Sequence, residues 1–510
     1  MPRSKVRRLL TIGLFVMLAV TTASSQQRIP CVRHAQGTTT RGGYYALPEP
    51  ITQWDAQRTY RVPVVLITFK DCEFSMSDPV AYYRRLFNEE GFNEGKGKGC
   101  VADYFLEQSG GLCHMQFDIY GPIQVDTTAH YNTTTNYGDE AVEQALKKLS
   151  ATTDADFSVY DWTGNGAVNQ VLFVAAGYTG NSVTGYIWPN TYQTYWKAPG
   201  NLSIQSTSIS CEKWGDDRLC GIGTIIHEFC HCLALPDIYP TSGSVFSVVD
   251  EWDLMDGGNY TNYGWCPPNF STMEKMFLGW TTPTELTSAT TITGMKPVSE
   301  GGETFIIRNS GYKDEFYLLE NRRQTGWDYG TPGNGLLIFH VDFDYDRWCD
   351  NDVNGNSNHQ LYSIIAADNK SYRDWDPRNN GKDPNKWTMS DRLRNRYLST
   401  ATYPYYNEEA TLIINQNLTN ETVPASTLFH ANAEGEKLMS KPVSNIQLAS
   451  DGSISFDFMK ATTNIREALF ESQDDEIWYD LHGHQLSEAP RQPGIYILRG
   501  QNGKTKKIIK

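Results

Sequence analysis

The stretch 221–237, GIGTIIHEFCHCLALPD, gathers the residues best suited to metal chemistry. His227 and His231 stand four apart, one turn of a helix, so both imidazoles project from one face and can grip a single cation. Asp237 follows six residues later, far enough for the chain to leave the helix, turn and return a carboxylate to the same ion. Two histidines and a carboxylate leave the fourth corner of a tetrahedral zinc open to water, as a catalytic site requires and a closed structural site does not. That water needs a base, and Glu228 is the only acid within one residue of these ligands. The competing reading is a core helix whose histidines are satisfied by hydrogen bonds.

The helix that must position these groups is legible in its apolar residues. Ile222, Ile225, Ile226, Phe229 and Leu233 recur at three-to-four-residue spacing and form a stripe that packs while the other face binds. Cys230 and Cys232 flank His231. A Cys-His-Cys site is disfavoured, because adjacent residues on a helix point in different directions.

HEFCHCLALPD resembles the zinc motif of the M6 metalloproteases, the immune inhibitor A family, a metzincin-like group with the pattern H-E-x-x-H-x-x-G-x-x-[HD]. Downstream, EWDLMDGG at 251–258 is similar to that family's Met-turn, which implies that Met255 forms an apolar floor beneath the metal. The outline extends over roughly residues 60–345, through VADYF at 101–105 and the stretches 64–71, 157–173, 273–280 and 316–340. The resemblance implies an α+β fold: a metzincin-like metalloprotease domain, built of a twisted mixed sheet and a zinc helix, followed by a β-sandwich-like region. It also implies one catalytic zinc ion on His227, His231 and Asp237, Glu228 as general base, and protein or peptide substrates. By analogy with related metzincins, Tyr260 or Tyr263 could donate to the oxyanion, against a plain packing role. Ala234 departs from the pattern where the family has glycine, at a helix end that usually turns left-handed. A side chain there costs about 1 to 2 kcal/mol, so the departure bears on local stability more than on metal binding.

The chain has 510 residues and a formal net charge of -15, with 20% charged and 12% aromatic residues, as expected of a mildly acidic protein of two or three domains. No basic surface stands ready to neutralise phosphates, which argues against nucleic acid or anionic lipid as a partner. Residues 1–25 read as an export signal: Arg3, Lys5, Arg7 and Arg8, an apolar run from Leu9 to Val20, then a small-residue exit at 21–25. No later stretch is apolar for long enough to span a membrane, so a secreted or cell-surface protein is expected. Residues 26–59 form an N-terminal segment that could serve as a short propeptide, and the protease domain is expected over 60–281.

Within that domain, 62–69 reads as a buried strand, 78–87 as a helix capped by Asp78 with Pro79 in its first turn, and 101–108 as a second helix. Strands at 113–120 and 168–176 flank a helix at 140–149. Short alternating runs from 282 to 460, separated by Gly, Asn and Pro, predict a β-rich accessory domain. His340 lies on one of these strands and reads as a satisfied structural histidine rather than an active-site accessory. Two loops, Asp161-x-Thr163-x-Asn165-Gly166 and Asp350-x-Asp352-x-Asn354-Gly355, have the alternating oxygens of a structural calcium site, but each has leucine (Leu172, Leu361) where a bidentate glutamate belongs. Solvated turns are the alternative. Ten cysteines in the exported part allow disulfides; Cys211 with Cys220 is one candidate pair, and Cys31 either blocks the metal or is an ordinary thiol or half-cystine. The end of the chain, 461–510, is expected to form a β-hairpin with a basic tail. IWYDLHG at 477–483 and PGIYIL at 493–498 resemble the C-terminal sorting segment of proteins exported by Bacteroidetes-type bacteria, which implies export machinery as a partner. That pattern has Arg where His484 stands here.

Overall fold

The computed structural model describes residues 50–131, 136–241, 248–371, 398–407 and 409–460, with short pieces at 43–44, 47–48, 374, 477–480, 484–486, 490, 492, 495–499 and 505–509. The expected export signal and Cys31 lie outside the described residues. The fold is mixed α+β, with several sheets and few helices.

The first half is built on one sheet whose strands are, in chain order, β1 (Gly43–Tyr44), β2 (Thr59–Thr68), β3 (His114–Gln124), β4 (Ala167–Tyr178), β5 (Asn190–Thr194), β6 (Lys197–Ala198) and β7 (Leu202–Lys213). Their spatial order is β1-β5-β7-β4-β2-β3, with β6 also on β7. The four neighbouring strands β3, β2, β4 and β7 run parallel, with β3 at the edge, whereas β5 joins β7 antiparallel and carries β1 on its other side. Side chains on β2 alternate across this sheet. Val62, Val64 and Leu66 enter one core with α1 (Pro79–Asn88), α2 (Val101–Gln108) and α4 (Ile222–Cys232), while Val65 and Ile67 enter another with α3 (Asp139–Thr152). A parallel sheet covered on both faces explains why the β2 sequence is apolar at nearly every position. Local signals set the helix starts: Asp78 accepts from the Ala81 N–H at 2.9 Å, and Cys100 with Asp103 closes a capping box on α2.

Beyond α5 (Thr272–Phe277) the chain is β-rich. Strands β8 (Thr284–Glu285), β10 (Phe305–Arg308), β11 (Glu315–Arg322), β12 (Gly335–Asp342) and β13 (Tyr362–Ile364) form a sheet in the order β13-β12-β11-β10-β8. After a short antiparallel pair, β14 (Tyr405–Tyr406) with β15 (Ile413–Asn415), a second sheet of β16 (Val443–Leu448), β17 (Ile454–Phe458) and β9 (Thr290–Met295) packs against one face of the first. Tyr317, Leu319, Leu336 and Ile338 point towards that second sheet, as in a sandwich. Their neighbours Phe316, Leu318, Leu337, Phe339 and Val341 point the other way and join the core that holds α4. The boundary drawn at 281/282 is therefore not a break in the core: the five-stranded sheet is a wall shared by both halves.

Two further expectations change. Cys211 and Cys220 are both free thiols. Cys211 sits on β7 and turns into the α3-side core, its thiol donating to the Ile187 carbonyl at 3.4 Å, so it packs within the core instead of closing a loop. Cys349 is disulfide-bonded. The C-terminal region is more than a hairpin: β18 (Ile477–Tyr479), β19 (Gln485–Leu486), β20 (Ile495–Arg499) and β21 (Thr505–Ile509) form a four-stranded antiparallel sheet in the order β19-β18-β20-β21.

Candidate functional site

Helix α4 is buried along its whole length, and its C-terminus reverses tightly. Leu233 N–H donates to Cys230 O, Ala234 N–H to His231 O and Leu235 N–H to Cys230 O, while Ala234 adopts φ +70°. The left-handed turn expected where the family has glycine is thus made by alanine, with the strain that a Cβ brings there. The reversal sends Pro236 and Asp237 back along the helix.

The result is a compact triad. Nε2 of His227 and Nε2 of His231 each lie 3.3 Å from the same oxygen, Oδ1 of Asp237. The two rings are 5.0 Å apart and nearly perpendicular. Each imidazole is held from behind: Nδ1 of His227 lies 3.0 Å from Leu254 O, and Nδ1 of His231 lies 2.8 Å from Leu235 O. A carbonyl can only accept, so both Nδ1 atoms carry a proton, and it is the Nε2 atoms that turn towards Asp237. Among the described residues this is the one group of three His, Cys, Asp or Glu side chains whose ligand atoms lie within 4.8 Å of one another.

These distances fit a tetrahedral metal better than a hydrogen bond. Ligand bonds of about 2.0 to 2.1 Å at tetrahedral angles set neighbouring ligand atoms roughly 3.3 Å apart, whereas charge-assisted N–H···O contacts close to about 2.7 to 2.9 Å. Oδ1 of Asp237 is also buried without a hydrogen-bond partner, while Oδ2 accepts from the Asn351 amide at 2.8 Å. Burial opposes a charge on His227, yet the contact with Asp237, reinforced by Glu228, raises that imidazole to about 9. Burial would likewise raise Asp237, but the two imidazoles hold it far below the ordinary carboxylate range.

Glu228 lies against the same group. Burial raises its carboxyl above the usual value, opposed by the two imidazoles, and its Oε2 is 3.1 Å from the Thr191 hydroxyl on β5. That hydroxyl also donates to the Glu228 carbonyl at 2.7 Å, which ties α4 to the antiparallel edge of the sheet. Met255 is fully buried. Its turn is rigid: Asp256 Oδ2 accepts the N–H groups of Val248, Val249 and Asp250, Asp253 Oδ1 accepts Met255 N–H, and Met255 O accepts Ile238 N–H.

No known family model matches the chain, and no curated protein does.

The remaining candidates separate cleanly. Tyr260 faces the site: its hydroxyl accepts from Asn181 at 3.1 Å, and burial raises it, with Glu228 and Asp237 adding to the shift. Tyr263 is half exposed and lies under the Arg218 guanidinium, 3.8 Å from its ring centre. Cys230 and Cys232 are buried in the apolar core, where burial pushes both thiols up. His340 pairs with Glu315 at 2.8 Å and stacks on Phe429, as a structural histidine should. In the first oxygen-rich loop Asp161 accepts the N–H groups of Thr163, Gly164, Asn165 and Gly166, the pattern of an Asx-type turn. In the second, Asp352 pairs with Arg347, and Asn354 bonds Ile238 O and Tyr362 N–H and O. Sequence reasoning missed Thr191 and Asn351, because neither neighbours the motif in the chain; the Asn351 contact spans 114 residues. It also missed Tyr239, whose ring stacks at 13° to that of His227, only two residues past Asp237.

Proposed function

We propose that the chain is an exported zinc endopeptidase of the M6 type, with a metzincin-like catalytic half. One observation carries the reading: two imidazoles, each locked by its Nδ1 proton, turn Nε2 to the same buried carboxylate oxygen at 3.3 Å. His227, His231 and Asp237 would hold the ion, which when bound supplies Lewis-acid polarisation and a lowered water pKa. Glu228 takes the proton of the attacking water and delivers it to the leaving amine, and its raised pKa suits it to both tasks. The Tyr260 hydroxyl, kept protonated by burial, would donate to the carbonyl oxygen of the substrate.

Export is proposed from the composition of residues 1–25, and contact with export machinery from the resemblance of the C-terminal segment. Among the described residues no helix is long and apolar enough to cross a membrane. The test is direct. Protein lacking residues 1–25 should bind about one zinc and clear a casein or gelatin gel in a chelator-sensitive way, and Glu228→Ala should keep the metal and lose the clearing. Zinc bound without cleavage of any protein substrate would sink the peptidase reading in favour of a non-catalytic binding protein or a hydrolase of another substrate.

A further inference from the structure

We propose that Asn351 is a positioning residue that orients Asp237 for the metal, so that the β-rich half of the chain sets the affinity of a site whose ligands all lie in the other half. This rests on reading His227, His231 and Asp237 as a zinc site. Asn351 directs both ends of its amide at one residue. The side-chain oxygen accepts from the Asp237 N–H at 2.5 Å, and the side-chain N–H donates to Asp237 Oδ2 at 2.8 Å. The first bond places the backbone of the ligand. The second fixes the rotation of its carboxylate, a broad, soft torsion when nothing holds it, and thereby turns Oδ1 towards the imidazoles.

The amide suits this place. It is buried, it donates without adding charge, and its backbone sits at φ +56°, a left-handed conformation that asparagine tolerates. The segment that carries it is stitched to the ligand loop at two further points: Thr241 Oγ1 donates to Asn351 O at 3.0 Å, and Asn354 donates to Ile238 O at 2.8 Å. Behind it, helix α6 (Tyr345–Cys349) is anchored by Trp348 between Phe277 and Phe343. The Asp-x-Asp-x-Asn-Gly pattern that resembled a calcium loop thus serves as a brace for the third ligand.

The experiment is competition for zinc between the full-length protein and a chromophoric chelator. Asn351→Leu removes both hydrogen bonds at nearly constant volume, Asn351→Ala removes the volume too, and Asn354→Ala cuts the neighbouring stitch without touching Asp237. Both Asn351 variants should bind zinc about 10- to 100-fold more weakly, the usual effect of losing an outer partner of a ligand. Their metal-free melting temperatures should fall no further than that of Asn354→Ala, which itself should keep its zinc affinity within about threefold. At saturating zinc the KM for a peptide should be unchanged. A variant that does not fold is identified by its melting curve, and Asn351→Gln, with the amide displaced by one methylene, then carries the test with the same expected direction. Zinc affinity within about twofold of the parent in any folded Asn351 variant, or equal weakening in Asn354→Ala, overturns the proposal. A parent that binds no zinc overturns the reading of the site itself, which is a different result.

Discussion

Among the described residues two clusters bring two histidines to one aspartate, and they are built differently. At the first, Asp237 faces His227 and His231 with side chains only 4 to 7% exposed, and the two contacts are equal at 3.3 Å. At the second, in the β-rich half, Asp342 Oδ2 accepts from His359 at 2.6 Å and His430 at 3.1 Å, with imidazoles 38% and 42% exposed. The second cluster has ordinary hydrogen-bond lengths, one ring resting on Phe429 and the other on Tyr312. In the first, backbone carbonyls take the Nδ1 protons and both Nε2 atoms turn to one buried carboxylate oxygen. Residue type alone does not set such a geometry; burial and orientation from behind do.

The comparison can be broken at several levels. The largest effect is expected from Asp237→Ala, which should abolish zinc binding and casein clearing together, whereas the double variant His359→Ala, His430→Ala should leave one zinc per chain and near-parental activity, both read by metal analysis and the gel assay. Next, Arg322→Met should destabilise the fold by about 3 to 5 kcal/mol in denaturant melts, because it leaves buried carboxylates without their partner. Arg322 is fully buried, pairs with Glu320 and Asp328, and donates to Trp252 O just ahead of the Met255 turn.

A smaller effect concerns acid. Burial opposes ionisation of Glu315, but His340 and the N–H groups of Phe429 and His430 outweigh it and hold the carboxyl below its ordinary value. A depressed folded-state pKa adds stability that is fully present above the unfolded value, about 4.3, and is lost as pH falls through the lower folded value. Glu315→Gln should therefore flatten the acid limb of a melting-temperature profile and lower the plateau at neutral pH. The smallest effect is expected from Ala234→Gly, which relieves the strain of φ +70° and should stabilise by about 1 kcal/mol, less the backbone entropy of glycine, while leaving zinc affinity unchanged.

What the sequence made legible followed the physics of each element. The helix over 101–108 matched its observed ends, because apolar spacing and capping agreed locally. Strands β5 and β7 went unread. β7 is LSIQSTSISCEK, and its buried interior is filled by Ser206, Thr207, Ser208 and Ser210, so no apolar run announces a central strand. The triad was legible because one helix turn fixes the spacing of two ligands, and a short return fixes the third. Thr191 and Asn351 were not, since only the folded sheet and the brace bring them to the site.

The wall formed by β10, β11 and β12 has a consequence for how this protein can be cut and reshuffled. Because alternate side chains of the same strands fill two cores, a fragment ending near residue 281 would carry a raw greasy flank where Phe316, Leu318, Leu337 and Phe339 belong. Such a fragment should clump rather than work, and calorimetry of the intact chain should record both halves melting in one endotherm.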